Sequence, residues 1–212
     1  GGIVTINSGD ERDYQTAHAF ADKNYNRFGT QVHRDIQRLA PNYRMTELQG
    51  AVGIAQLKKL PWICERRHAI GEAITAGIRG IPGIRPHRVE PGNRCTYWFY
   101  MLRVDEAELG CTRDEFSRAL QAEGIPNRAG YIPHVVYMQP MFQQRSAYPN
   151  SSFPFDLSDA SYAPGTCPEA EAILATAVQI PVSEFYTDAD VLDIVTAIRK
   201  VAAYYRQHRQ AG

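Results

Sequence analysis

Residues 39–51, Leu-Ala-Pro-Asn-Tyr-Arg-Met-Thr-Glu-Leu-Gln-Gly-Ala, decide how this chain is read. Thr46 followed by Gln49 has the spacing of a capping box, in which two side chains satisfy free amides of a first helical turn. Leu48, Val52 and Ala55 then recur on one helical face, with Ala51 and Ile54 beside them. Asn42, Tyr43 and Arg44 stand directly before that helix start, behind Pro41. The free amides and dipole of a helix N-terminus attract anions. An asparagine amide and a guanidinium fork are donors suited to phosphate or carboxylate. One reading is therefore an anion-binding corner. The plainer reading is that Asn42 shapes a turn and Arg44 makes a surface ion pair.

Working outward, Pro61 interrupts the first helix and suits the opening of a second, which carries Ile63, Ile70, Ile74 and Ile78. Gly80 and the run IPGIRP stop it. Upstream, Ile3 to Ile6 reads as a short β-branched strand closed by Ser-Gly-Asp. Asp10 is placed to cap a helix reaching Lys23, and residues 24–41 read as loop. Downstream, TYWFYMLRV at 96–104 is apolar on both faces, as a central strand should be. Thr112 with Glu115 makes a second capping box, opening a helix that ends near Gly124. IPNRAGYI reads as extended chain, residues 143–168 as a long surface loop, PEAEAILATA as a short helix and VQIPV as a buried strand. Thr187 with Asp190 opens a last helix whose face is Val191, Ile194, Val195, Ile198, Ala202 and Tyr205. This mixed order predicts an α+β layer rather than a doubly wound sheet.

Composition narrows the function. The 23 basic and 23 acidic side chains of the 212 residues balance, which argues against nucleic-acid or membrane-surface binding. Cys64, Cys95, Cys111 and Cys167 form no CxxC pair, and the six histidines show no HExxH spacing, so no metal site is expected. The cysteine usage, the lack of a recognisable signal peptide and the lack of a membrane-length apolar run suit a reducing, cytoplasmic compartment. No dinucleotide or P-loop glycine pattern and no nucleophile elbow is present. Cys167 reads as a small buried side chain before a helix, and His134 as a local structural histidine.

PNYRMTELQGAVGIAQLKKL at 41–60, followed by Arg66-Arg67, resembles a stretch of the DegT/DnrJ/EryC1/StrS family of pyridoxal-phosphate-dependent aminotransferases. GGIVTIN resembles the strand after that family's cofactor-lysine loop. YWFYMLRVD, TRDEFSRALQAEGIP, YAPGTCPEAEAILATAVQIPV and YTDADVLDIVTAIRKV are similar, in order, to the strands and helices of its small domain. PNYRMTELQ and GTCPEAE are most similar to the branch acting on inositol-derived ketones, such as glutamine-dependent scyllo-inosose aminotransferases.

The resemblance implies an α/β protein of the PLP-dependent transferase fold type I. Residues 1–60 would be the end of the large cofactor-binding domain with the connecting helix, and residues 61–212 the C-terminal small α+β domain. It implies amino transfer to a keto-sugar or keto-cyclitol from a donor such as glutamine or glutamate, with pyridoxal 5'-phosphate as cofactor and a homodimer as the working unit. Family members hold the cofactor on a lysine. Lys23, Lys58, Lys59 and Lys200 do not stand in that lysine's context, which falls before Gly1, so this polypeptide alone is expected to be inactive. By the family's pattern Asn42 contacts the cofactor phosphate of the other subunit, with Arg44 supporting it. Tyr43 and Tyr131 match positions near the substrate, Tyr43 being equally readable as a packing residue. Val135-Val136-Tyr137 stands where the family often has Pro-Leu-His, so this segment does not name the substrate. Two other readings stay open: a non-catalytic anion- or partner-binding module of the same fold, and a family dehydratase in which histidine replaces the lysine.

Overall fold

The computed structural model describes residues 2–25, 27–28 and 38–209, with the side chain of Arg209 left out. The chain divides into two compact units, Gly1–Pro61 and Trp62–Gly212.

The first unit contains α1 (Glu11–Ala21) and α2 (Glu47–Leu57). The Asp10 side chain caps α1 by accepting the Arg12 amide at 2.9 Å. The capping box at Thr46 and Gln49 forms as the spacing requires, with Gln49 Oε1 accepting the Thr46 amide at 2.9 Å. The expected strand at Ile3–Ile6 does not form. Ile3 and Val4 are 86% and 82% exposed. A β-branched run becomes a strand only where a neighbour takes its amides and carbonyls, and no ladder in the described residues involves this run. Of the expected loop at 24–41, residues 26 and 29–37 lie outside the described residues.

The second unit is a four-stranded antiparallel sheet in the order β1-β2-β4-β3. Its strands are β1 (Ile84–Arg85), β2 (Phe99–Val104), β3 (Arg128–Ala129) and β4 (Ala177–Pro181). The aromatic strand is central, as its two apolar faces require. Tyr100 pairs Ile180 and Leu102 pairs Val178. Side chains alternate along a strand, so Tyr100, Leu102 and Val104 enter one core, all at most 1% exposed. That core is closed by Ile70, Ile74 and Ile78 of α3 (Leu60–Ile78), Phe116 and Leu120 of α5 (Arg113–Ala122), and Ile194, Ile198 and Ala202 of α8 (Asp188–Arg209). The Thr112–Glu115 box opens α5, with Glu115 Oε2 accepting the Thr112 amide at 2.7 Å. A short α4 (Glu106–Leu109), capped by Asp105 and ended at Gly110 with φ 79°, was not legible as a helix in the sequence.

The other face of the sheet carries Phe99, Met101 and Arg103 of β2. Register puts Gln179 opposite Met101 and Arg128 opposite Gln179, hence on that same face. This face receives α7 (Pro168–Thr176), where Arg103 Nε donates to Thr176 Oγ1 at 2.8 Å. Residues 143–168 form the expected long excursion, but it is organised. It holds a 3-10 turn at Phe155–Leu157 that buries Phe155, and it follows α6 (Pro140–Gln143). Cys167 is exposed at the N-cap of α7, not buried, since this position before the first turn faces outward.

Candidate functional site

In the first unit the chain around Asn42 runs antiparallel to the end of α1. Lys23 N donates to Pro41 O and Tyr43 N donates to Ala21 O, both at 2.8 Å. This pins the Asn42–Arg44 backbone beside Asp22. The Asp22 carboxyl is 3% exposed and receives Arg27 as a hydrogen-bond donor. Arg44 Nε lies 3.0 Å from Asp22 Oδ1 and donates to Asn42 Oδ1 at 3.2 Å. The hydrogen bond from Arg27, together with the positive charges of Arg27, Arg44 and Lys23, holds the Asp22 carboxyl below the usual carboxylate range. The ion pair of the plainer reading is present. Arg44 does make an ion pair, and the pair fixes Asn42.

These residues line a cavity of about 690 Å³, shared with Tyr14, His18, Met45 and Gln49. The Asn42 carbonyl oxygen is taken by Arg44, which leaves the Asn42 amide N–H groups as donors. The Arg44 terminal nitrogens carry no hydrogen bond to a described residue, since its contacts run through Nε and the main chain. His18 Nδ1, also on this cavity, is buried without a partner. Buried polar atoms in folded proteins are almost always paired, so this orphan marks a place for a polar ligand atom. The first-turn amide of Gln49 is taken by Thr46 Oγ1 at 3.3 Å, and Glu47 adds a negative charge there. The donors available to an anion are therefore the side chains before the helix more than the helix end itself.

This donor set fits the phosphate of the cofactor that the family resemblance implies. It does not supply an amine. Lys58 and Lys59 follow α2, Lys200 on α8 pairs with Glu123 at 2.6 Å, and Lys23 lies over the Tyr25 ring; none of the four lines the cavity.

Tyr131 lines a second cavity of about 530 Å³, in the second unit. Tyr131 stacks on Phe99 with ring centroids 5.3 Å apart, and the Arg128 guanidinium lies 5.7 Å from the centroid of the Tyr131 ring. Arg128 Nε donates to Gln179 Oε1, and Arg113 Nη1 donates to Leu174 O at 2.6 Å. His134 and Glu171 share the wall. Asn42, Tyr43 and Arg44 are thus brought together, while Tyr131 belongs to other surroundings. Sequence reasoning missed His18, Asp22 and Arg128. Asp22 and Arg44 are far apart in the chain, and only the antiparallel pairing joins them. Arg128 could have been found from strand alternation once β3 was paired with β4. Among the described residues, no group of three or more His, Cys, Asp or Glu side chains could hold a metal ion, and no helix is long and apolar enough to cross a membrane.

Comparison with known proteins adds an independent line. Residues 1–199 match the model of the DegT/DnrJ/EryC1/StrS aminotransferase family. The chain is 27% identical over 207 residues to spore coat polysaccharide biosynthesis protein SpsC of Bacillus subtilis, covering 95% of this chain and 49% of that protein. It is 30% identical over 115 residues to GDP-perosamine synthase of Vibrio cholerae, covering 54% of this chain and 31% of that one. The PLP form of a putative sugar aminotransferase, Spr1654 of Streptococcus pneumoniae, superposes with a TM-score of 0.64 at 19% identity, over 93% of this chain and 45% of that one. That likeness gives the fold, the type I fold of PLP-dependent transferases. The chain spans about half the length, or less, of the curated relatives it matches.

Proposed function

The chain belongs to the DegT/DnrJ/EryC1/StrS aminotransferase family, and we propose that it is one portion, the C-terminal one, of a PLP-dependent enzyme that transfers an amino group to a keto-sugar or keto-cyclitol. The observation that carries this reading is the family match over residues 1–199, joined to a cavity with unspent donors at Asn42 and Arg44. Bound pyridoxal phosphate supplies the electron sink that lets an amino donor lose its Cα proton. This chain's residues hold and orient. Asn42 donates its amide hydrogens to phosphate oxygens, and Arg44 adds charge beside them. Asp22 keeps Arg44 in place, and Tyr43 borders the same cavity. Tyr131, flanked by Phe99 and Arg128, borders the substrate in the second unit. We further propose a homodimer in which Asn42 serves the phosphate bound by the other subunit. The amino donor is glutamine or glutamate, the keto substrate is of the scyllo-inosose type, and the compartment is cytoplasmic.

The lysine placements lead to the expectation that residues 1–212 alone do not transaminate. The test is an absorbance spectrum with added pyridoxal phosphate, on this chain and on the full-length product of its gene. We expect a visible band in the full-length protein, fixed by borohydride to a lysine outside residues 1–212, and none in this chain. A borohydride-fixed adduct on Lys23, Lys58, Lys59 or Lys200 that supports turnover would overturn the inactivity. A band in neither protein would favour the anion- or partner-binding module or the lysine-less dehydratase.

A further inference from the structure

The wall of the second cavity is continuous with an excursion, residues 136–166, that has a small core of its own. Phe142 packs against Phe155 and Tyr162, with centroids 5.7 Å and 5.3 Å away. Arg145 gathers three carbonyls, donating to Ser158 O at 2.6 Å, to Ala160 O at 3.3 Å and to Phe155 O. Gln143 Nε2 joins the two ends, donating to Tyr137 O at 2.8 Å and Tyr162 O at 2.7 Å. A segment knit this way opens as one cooperative unit. Its side-chain ties to α7 converge on one carboxylate oxygen. Glu171 Oε1 accepts the Tyr137 hydroxyl and the Gly165 amide, the latter at 2.7 Å. The same Tyr137 hydroxyl accepts the Cys167 amide at 3.3 Å. Glu171 also lines the cavity, together with Val135 and Met138 from the near end of the strap.

We propose that Glu171 is a positioning residue. It latches the strap 136–166 to α7 and so holds the Tyr131–Met138 wall of the cavity in the form that receives the keto substrate. This rests on the reading that the cavity takes the substrate. A carboxylate accepting two donors on one oxygen is a strong tie, and one that a hydrophobic contact cannot replace.

The test is hydrogen exchange on the whole chain, comparing wild type with E171A, E171Q and Y137F. The amides of Gln139, Phe142, Gln143, Gln144, Arg145 and Ser146 donate to backbone carbonyls within the strap. They do not touch Glu171, so they report cooperative opening of the strap rather than loss of a bond to Glu171 itself. E171A is expected to speed their exchange about tenfold, the scale of a lost hydrogen bond to a charged group. Y137F should do the same to a lesser degree. E171Q, which keeps the acceptor oxygen, should restore most of the protection. Amides of Phe99–Val104 and Ala177–Pro181 should not change. Unchanged exchange at the reporter amides of 139–146 in E171A would overturn the latch, as would equal loss in the two core strands or an E171Q that behaves as E171A. None of these readouts depends on amino transfer, so failure of the absorbance test leaves this one intact.

Discussion

Gly71 lies inside α3 with Tyr97 across it. A Cβ added there would meet Tyr97 Cδ2 at 2.3 Å and its Cε2 and Cγ at 2.4 Å. The ring cannot step aside cheaply. Tyr97 is 1% exposed, its hydroxyl donates to Glu72 at 2.6 Å, and it stacks on Tyr100 at 5.8 Å. Its backbone is held too, since Arg67 Nη2 donates to Tyr97 O at 2.9 Å and the residue sits at φ 45°. Two effects oppose each other in Gly71→Ala. Alanine is the better helix former by about 1 kcal/mol. Overpacking a filled core costs about 1–3 kcal/mol and more when the contact is severe. The approach here is more than an ångström inside van der Waals contact, so the upper end applies and the net loss is about 2 kcal/mol. For a unit of this size that lowers the midpoint by roughly 4–8 °C. Gly53→Ala is the control, because a Cβ at Gly53 in α2 meets nothing within 4 Å. Thermal melts followed by near-ultraviolet circular dichroism, which sees the buried tyrosines, provide the assay. A Gly71→Ala protein that melts at or above wild type would refute the claim that the α3–Tyr97 contact is filled.

Two further predictions concern titration and the anion corner. His87 Nδ1 accepts the Met101 amide at 3.2 Å, and burial pushes its pKa below the usual histidine value, the Glu72 charge opposing in part. Its folded value is depressed, so the folded state binds fewer protons than the unfolded one. The stability it contributes is complete above the unfolded pKa of about 6.5 and falls as pH drops through that value. Urea midpoints for the second unit should therefore decline between about pH 7 and pH 5, a window above that of the depressed carboxylates. His87→Gln should flatten this decline; an unchanged slope would remove His87 from the account. At the corner, Asn42→Ala in the full-length protein should weaken pyridoxal phosphate binding about tenfold, and Asn42→Asp more, since a carboxylate then faces a phosphate. Calorimetric titration showing Asn42→Asp equal to wild type would take Asn42 out of the phosphate site.

Where local rules suffice, the sequence was legible. The capping boxes at Thr46 and Thr112 need only residues three apart, and both form. The face of α8 follows from a 3.6-residue period, and Val191, Ile194, Val195, Ile198 and Ala202 are buried as that period requires. What failed was whatever needed a partner. The run at Ile3–Ile6 has strand propensity but finds no ladder. Two-residue β1 is too short to show a pattern, and it exists because Ile84 and Arg85 pair Val104 and Arg103. The Asn42–Arg44 corner was half legible. The donors Asn42 and Arg44 stand side by side in the chain, whereas the Asp22 carboxylate that orients them reaches them only through the pairing at Lys23–Pro41 and Tyr43–Ala21.

The two units differ in how they are held together, and this bears on the candidate site. Every buried apolar side chain of the described residues lies beyond Pro61, from Ile70 onward. In the first unit Asp22 is the single buried residue among those described. Its helix α2 buries none of its residues, and Leu48, Val52, Ile54 and Leu57 are each more than half exposed. A helix apolar around much of its circumference is stable when covered on several sides. With no buried apolar side chain among its described residues, this unit has little burial to offset the entropy of its own ordering. The Asn42–Arg44 corner therefore rests on capping, on one antiparallel pairing and on the Asp22 ion pairs, all polar and local. Such contacts fix the geometry of a segment but add little stability. The second unit, by contrast, has a closed core built from β1, β2 and β4 with α3, α4, α5 and α8. It follows that covering α2 should order the corner far more than it stabilises the core, so protection at Lys23 and Tyr43 amides is where assembly into a larger protein would register first.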